Sequence, residues 1–200
     1  MKCSLKNVGL HYKTATMLTT NTIKFIKSLQ QKKFRKESGL FVAEGHRLVS
    51  DLIHSSITID AVYHTQEWED AGDINSNYHL VSAKEMARIS GLTTPSSVLG
   101  LFKIPSNEVS LERLSEELTL VLDDIQDPGN LGTIIRLADW FGIKSVICSH
   151  GTADAFSPKV IQATMGAIAR INLSYFDIVD LTSRAKNQGM DVFGTFLDGD

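Results

Sequence analysis

Residues 118–148 read LTLVLDDIQDPGNLGTIIRLADWFGIKSVIC, and this stretch decides the fold. Its apolar run at 118–125 predicts a buried strand, the apolar spacing over 131–141 predicts a helix, and 145–148 predicts the next strand. Buried strands that alternate with helices are typical of a parallel sheet covered on both faces. The pattern continues with helices predicted at 157–169 and 178–188 and strands at 171–176 and 190–197. We therefore predict a parallel-sheet α/β domain in the second half of the chain.

The residues before this domain predict a second, smaller α/β unit. We assign residues 1–20 to an N-terminal arm, 21–105 to the small domain, 106–118 to a linker with a helical turn, and 119–200 to the parallel-sheet domain. The arm leaves open whether Met1 or Met17 is the true start. Within the small domain we predict helices at 21–30, 44–55 and 83–89, strands at 40–43, 59–63, 78–81 and 98–102, and a basic turn after the first helix.

Composition places the chain among ordinary soluble proteins, with 200 residues, 42% of them hydrophobic and 22% charged. No apolar run approaches the roughly 20 residues of a membrane span, and the N-terminus has no signal-peptide core. Cys3 and Cys148 are too few for a disulfide framework, and the histidines show no metal-ligand spacing. We expect a cytoplasmic protein with reduced thiols, no bound metal and no membrane attachment.

Charge is distributed unevenly along the chain. The formal net charge is −3, yet between Lys24 and Arg47 seven basic side chains stand against only Glu37 and Glu44. Such a local patch suits docking on a structured polyanion. The alternative is an ordinary solvated helix face.

The loop after the strand at 118–125 is the most unusual in the sequence. Ligands bind open parallel sheets beyond the carboxyl ends of the strands, and this loop brings Asn130, Gly132 and Arg136 to the start of a helix. A guanidinium beside a helix N-terminus suits an anion such as an RNA phosphate. In the alternative, purely structural interpretation, Asn130 caps the helix, Gly132 allows close packing, and Arg136 pairs with Asp123 or Asp139.

Three common nucleotide-binding and hydrolase motifs do not occur in the sequence. G-x-G-x-x-G, G-x-x-x-x-G-K-[ST] and G-x-S-x-G are all missing. Their absence disfavours nicotinamide-binding, P-loop and α/β-hydrolase proteins, respectively.

Three segments resemble one known family, the SpoU (TrmH-type) RNA 2′-O-ribose methyltransferases. DIQDPGNLGTIIR at 124–136, followed by ADWFG at 138–142, resembles its first motif. SPKV at 157–160, with ATMGA at 163–167 and Arg170, resembles the next helix. FVAEGHRLV at 41–49 resembles the start of the L30e-like RNA-substrate domain that precedes many such catalytic domains. The resemblance covers roughly residues 21–200.

The resemblance implies a SPOUT-type catalytic domain, S-adenosylmethionine as methyl donor, RNA as substrate, and a homodimer whose active site uses both subunits. Arg136 matches the arginine credited with activating the ribose 2′-hydroxyl, and Asn130 matches an asparagine that shapes the site. The implied turn residues are Gly129 and Gly132, the cofactor-pocket wall is Thr195, Phe196 and Leu197, and the RNA-phosphate contacts are Lys32, Lys33, Arg35, Lys36 and Arg47.

The chemistry of Arg136 stays open at this stage. A hydroxyl oxygen must attack a sulfonium methyl in line and lose a proton. Arginine side chains have pKa values above about 12, which makes them awkward bases. Arg136 therefore acts either directly as the base or as a clamp on the neighbouring phosphate, with phosphate or water taking the proton.

The sequence departs from the family pattern after residue 197. In the family a Gly-Asn-Glu-Gly-like loop and a Ser-Leu-Asn-like stretch follow this strand, and neither occurs in residues 1–200. We therefore expect a partial chain that binds S-adenosylmethionine poorly and is inactive by itself, with the family's trefoil knot only where those segments are present. An RNA-binding module without catalysis is the main alternative, and a generic small-molecule α/β enzyme without RNA affinity is a weaker one.

Overall fold

The computed structural model describes residues 17–68, 77–106 and 111–195, with the backbone alone at 111–113. In this part of the chain the helices are α1 (Thr20–Ser28), α2 (Lys32–Ser38), α3 (His46–Ile53), α4 (Ala83–Ile89), α5 (Leu111–Glu116), α6 (Pro128–Trp140), α7 (Pro158–Thr164) and α8 (Ile178–Asn187). The strands are β1 (Leu40–Glu44), β2 (Ile59–His64), β3 (Tyr78–Leu80), β4 (Val98–Lys103), β5 (Thr119–Leu122), β6 (Ser145–Cys148) and β7 (Asn172–Tyr175).

The first sheet is mixed and has the strand order β1-β4-β2-β3. Strand β4 pairs antiparallel with β1 and β2, and β2 pairs parallel with β3. Helices α1 and α4 bury Ile26 and Met86 in one apolar cluster with sheet residues such as Leu99. Helix α3 contributes Leu48 and Leu52 to a different cluster, so helices pack on both faces of this sheet.

The second sheet confirms the predicted parallel α/β arrangement. Its order is β5-β6-β7, and both pairings are parallel, with Leu120 opposite Val146 and Val146 opposite Leu173. The connecting chain runs through α6 between the first two strands and through α7 between the second and third. Cys148 at the end of β6 is fully buried, and burial raises the pKa of its thiol to about 12.

One hydrophobic core extends through both halves of the chain. Phe41 and Phe102 of the first sheet belong to the same buried cluster as Leu131 and Phe156 of the second half. The rings of Phe41 and Phe156 lie 5.3 Å apart between centroids. The two sheets therefore share an apolar interface.

Three helical segments depart most clearly from the prediction. The basic segment predicted as a turn forms α2, which ends at Gly39 with a left-handed φ of 68°. Helix α6 begins at Pro128, three residues earlier than predicted, because Asp127 provides its N-cap. The helix predicted at 157–169 begins as expected with Ser157 as N-cap, but it breaks at Met165 and Gly166, whose φ values of 48° and 90° are left-handed, and a 3₁₀ turn follows at Ala167–Ala169.

The strand predicted at 190–197 is not formed in its described part. Residues 190–195 pair with no strand of the described chain, and Phe193 is 92% exposed. A strand needs a neighbouring strand to satisfy its backbone hydrogen bonds, and sequence pattern alone does not show whether that neighbour exists.

Candidate functional site

Helix α6 presents the residues that the sequence analysis selected, and Asp127 fixes where that helix begins. Asp127 Oδ1 accepts a hydrogen bond of 2.7 Å from the backbone N–H of Asn130, as an N-cap does. Asn130 is therefore capped rather than capping, so its proposed role as the N-cap was wrong. Its side chain is exposed. The Asp-Pro pair before the helix is the sequence signal that marks this cap.

Gly132 lies where α6 meets α7. A Cβ atom at this position would collide with Cβ of Ala163 and lie 3.1 Å from the backbone oxygen of Val160. The close packing proposed for Gly132 is present, although its neighbour is a helix rather than the sheet. The glycine therefore sets the distance between α6 and α7.

Arg136 lies on the exposed face of α6. Its Nη1 is 3.5 Å from Sδ of Met165, and in the described residues its guanidinium forms no ion pair. Asp139, one of its suggested partners, instead accepts three hydrogen bonds of 2.7–3.1 Å from Arg170. The positive charge of Arg136 is thus available to a ligand.

The loops at the carboxyl ends of β5 and β6 are bonded to each other. The backbone N–H of Asp124 donates to Ser149 Oγ at 2.9 Å, and that of Ala153 donates to the carbonyl of Ile125 at 2.8 Å. Asp124 adopts a left-handed φ of 53°, and a Cβ on Gly151 would lie 2.5 Å from its carboxylate. The loop that the sequence analysis selected and the loop after β6 therefore form one connected edge.

Tyr175 at the end of β7 fixes the second of these loops. Its hydroxyl donates to the carbonyl of Ala153 at 2.5 Å and accepts from the backbone N–H of Ala155 at 2.8 Å. Burial raises the pKa of Tyr175 well above its ordinary value, so the hydroxyl keeps its proton. Sequence reasoning missed this residue, because a tyrosine at a strand end carries no signal of its partners.

The predicted RNA-contacting residues separate into two groups. Lys32, Lys33, Lys36 and Arg47 have exposed side chains. Arg35 is only 3% exposed and is paired with Asp154. The structure contradicts a phosphate contact for Arg35, because its guanidinium is buried and already forms an ion pair with the carboxylate of Asp154.

The predicted cofactor wall is described only at its first residue. Thr195 is exposed, and Phe196 and Leu197 lie outside the described residues. Among the described residues, no group of three or more His, Cys, Asp or Glu side chains could hold a metal ion. In the same part of the chain, no helix combines the length and apolar character needed to cross a membrane.

Solved structures share this fold. A protein from Porphyromonas gingivalis assigned to the TrmH family of RNA methyltransferases superposes with a TM-score of 0.81 at 39% identity, covering 92% of this chain and 73% of that one. An AdoMet-bound rRNA methyltransferase from Sinorhizobium meliloti gives a TM-score of 0.71 at 30% identity, covering 86% of this chain and 67% of that one. The fold class is therefore that of the TrmH-type α/β proteins.

Family models and curated relatives agree with this class. Residues 117–200 match the SpoU rRNA Methylase family, and residues 20–100 match the MRM3-like substrate binding domain. The chain belongs to the SpoU (TrmH-type) family. It is 28% identical over 177 residues to the Bacillus subtilis 23S rRNA (guanosine(2553)-2′-O)-methyltransferase RlmP, covering 88% of this chain and 70% of that protein. It is 31% identical over 158 residues to Xenopus laevis mitochondrial rRNA methyltransferase 3, covering 74% of this chain but only 38% of that protein.

Proposed function

We propose that the protein catalyses S-adenosylmethionine-dependent methylation of a ribose 2′-hydroxyl in RNA, with ribosomal RNA as the substrate. One observation carries this proposal beyond family membership. The side chains of Asn130 and Arg136 are both exposed on α6, and this helix begins at the connected carboxyl edge of the parallel sheet. Ligands bind such sheets at this edge.

The environment of Arg136 supports its role as a phosphate clamp. A guanidinium without a carboxylate partner in the described residues can bind a phosphate with two parallel hydrogen bonds. Its charge would then stabilise negative charge developing on the ribose oxygen, while phosphate or water accepts the proton. Asn130, two helical turns nearer the start of α6, would orient the ribose.

The chemistry of the cofactor wall fits S-adenosylmethionine. The exposed hydroxyl of Thr195 suits polar ribose atoms, and the apolar Phe196 and Leu197 suit an adenine face. When bound, the cofactor supplies an electrophilic methyl group. Thr195, Phe196 and Leu197 would hold it, and the α6 residues would orient the hydroxyl that attacks.

Exposed cations support RNA as the substrate. Lys32, Lys33 and Lys36 lie on α2, and Arg47 lies in the first turn of α3. All four can reach solvent, and cations of this kind supply the sequence-independent part of RNA affinity. These four exposed residues are therefore the proposed contacts to RNA phosphates, and Arg35 is not one of them.

An exposed apolar surface supports a homodimer. Leu137, Trp140 and Phe141 at the end of α6 are 50%, 83% and 75% exposed, and the nearby Met165 is 58% exposed. We call these four residues the α6 patch. Exposed apolar patches of this kind mark protein contacts.

The sequence composition further supports a cytoplasmic location.

The test is a methyl-transfer assay with labelled S-adenosylmethionine and unmodified rRNA, using the full-length protein. Arg136→Ala should lower kcat/KM by about 100-fold or more, since charge stabilisation is lost. Lys144→Ala, which removes an exposed cation from the same half, should leave it unchanged. The labelled nucleotide should resist alkaline hydrolysis, as a 2′-O-methyl group requires.

Two results would change the proposal. Methyl label on a base, or full activity in Arg136→Ala, would contradict ribose methylation assisted by Arg136. RNA binding without methyl transfer by the wild-type protein would support the alternative of a binding module.

A further inference from the structure

Arg35 connects the basic helix α2 to the methyltransferase half of the chain. Its Nη1 donates to the carbonyl of Leu29 at 2.7 Å. Its Nη2 and Nε donate to Asp154 Oδ2 at 2.5 and 3.2 Å. The same short helix thus presents three exposed lysines to solvent and one buried arginine to the other half.

Asp154 belongs to the connected edge of the second sheet. Its Oδ1 accepts from the backbone N–H of Phe156 at 3.0 Å, so one carboxylate shapes its own loop and binds Arg35. That loop is fixed by Tyr175 and bonded to the residues that lead into Asp127, the N-cap of α6. A continuous set of hydrogen bonds therefore runs from α2 to the start of the helix that carries Arg136.

Other contacts also hold the two halves together. Gln162 on α7 donates through Nε2 to the backbone carbonyl of Glu44 at 2.6 Å. Gly166 lies so close to Asp51 on α3 that a Cβ atom would collide with its carboxylate. Phe156, two residues after Asp154, packs on Phe41.

The energetics of buried ion pairs suggest what Arg35 and Asp154 contribute. Desolvation offsets much of the attraction between two buried charges, so apolar replacements of both partners are often neutral for stability. The shared apolar core already supplies cohesion between the halves. A directional pair with two hydrogen bonds from Arg35 to Asp154 adds orientation instead.

We propose that Arg35 is a positioning residue, which holds the basic helix α2 at a fixed orientation to α6 through Asp154. The inference rests on the proposed function. RNA phosphates bound by Lys32, Lys33 and Lys36 are thereby placed at a set distance from Arg136. Arg35 therefore acts on the methylation step without touching RNA.

The experiment compares Arg35→Met/Asp154→Leu with Lys36→Met in the full-length protein. The first variant removes the pair and keeps similar volumes, whereas the second removes one exposed charge from the same helix. The orientation of α2 is measured as the distance distribution between spin labels at Glu37→Cys on α2 and Lys144→Cys just after α6, both at exposed positions, with Cys3→Ser to avoid a third label. Cys148 is buried and is left unlabelled.

The two variants should have opposite signatures. Loss of the pair should leave the unfolding midpoint and the RNA Kd close to wild type, broaden the distance distribution, and lower kcat at saturating RNA by about 10-fold or more, since small misplacements reduce rates strongly. Lys36→Met should weaken RNA binding and leave the distance distribution unchanged. Asp154→Asn, which keeps one acceptor oxygen and removes the negative charge, is the second variant if the double replacement does not fold, and it should show a smaller decrease in kcat.

A narrow distance distribution and wild-type kcat in a folded pair variant would overturn the proposal. If the wild-type protein binds RNA but transfers no methyl group, the proposed function and the catalytic role of Arg35 both fail. The distance measurement would still decide whether the pair orients the two halves.

Discussion

At the residue scale, position 132 has no room for a side chain. Helices α6 and α7 approach each other there closely enough that a single methyl group would meet Ala163 and the backbone oxygen of Val160. Backbone atoms cannot rotate away as a side chain end can, so an added methyl must push the helices apart. The spacing of α6 and α7 also sets the contact between Arg136 and Met165.

We therefore expect Gly132→Ala to destabilise the protein by about 2 kcal/mol, as overpacking of a tight contact does. Urea denaturation followed by circular dichroism measures this change. Ala163→Gly removes the colliding atom and should recover part of the loss in the double variant, even though it is unfavourable alone. If the losses of unfolding free energy in the two single variants simply add in the double variant, the contact between positions 132 and 163 is not the cause of the destabilisation.

Arg35 shows what the sequence could not reveal at this scale. Lysines lie at 32, 33 and 36 around it, so the basic patch and the family resemblance placed it with them as an RNA contact. Its partner, Asp154, is 119 residues away along the chain. Only the folded structure separates the buried arginine from the exposed lysines.

At the element scale, α4 is stabilised by a capping box. Ser82 Oγ accepts from the backbone N–H of Glu85, and the Glu85 carboxylate accepts from the backbone N–H of Ser82 at 3.0 Å. It also accepts from the backbone N–H of Leu18 at 2.9 Å, which ties the segment before α1 to this helix. These hydrogen bonds, that from the Ser82 backbone first, lower the pKa of Glu85 below its ordinary value.

A lowered pKa in the folded state makes this cap sensitive to acid. The carboxylate contributes its full stabilisation above its unfolded pKa of about 4.3, and the contribution is lost as the pH falls through the lower pKa of the folded state. We expect Glu85→Gln to lower the urea midpoint at pH 7 and to match wild type near pH 2.5. Glu37→Gln removes the charge of an exposed carboxylate whose Oε1 lies 3.9 Å from Nζ of Lys33. This control should have little effect on the urea midpoint at either pH. A pH-independent difference for Glu85→Gln would contradict this account.

Elements with a strong apolar pattern were predicted well from the sequence. The parallel sheet followed from the apolar runs at 118–125 and 145–148, and Ser157 was correctly assigned as the N-cap of α7. The prediction that the first of these strands is buried was wrong, because β5 is the edge strand and only Leu122 of it is buried. Helix α2 was missed because its buried face consists of Arg35, which no hydrophobic pattern reports. The break after α7 was missed because its first left-handed residue is Met165, a residue type that rarely adopts a positive φ.

Only part of the candidate site was predicted from the sequence. Asn130 and Arg136 are both exposed on α6, as the sequence analysis required of residues that meet a ligand. Asp127 and Tyr175, which fix the start of α6 and the loop beside it, came from the structure. Their roles depend on loop geometry and on contacts across the sheet, which spacing along the chain does not encode.

At the scale of the whole molecule, the α6 patch is the proposed dimer contact. We expect Trp140→Glu to produce a monomer, because a charge would be buried without a partner at the centre of the contact. Sedimentation velocity measures the change. Phe25→Glu, at a 41% exposed aromatic residue on α1, is the matched control and should stay dimeric. Unchanged sedimentation of Trp140→Glu would exclude the α6 patch as the contact.

The shared core has a consequence for how this family can diverge. Residues 20–100 and 117–200 match two separate family models, which describes two inheritable modules. Phe41 of the first module and Phe156 of the second nevertheless fill one common interior. A larger side chain at one of these positions would overpack the common interior, at a cost of about 1–3 kcal/mol, unless the other side chain becomes smaller. If one module were exchanged between relatives, its residue at this interface would have to fit the residue that the other module provides. The two halves are therefore linked in evolution, although each matches a family model of its own.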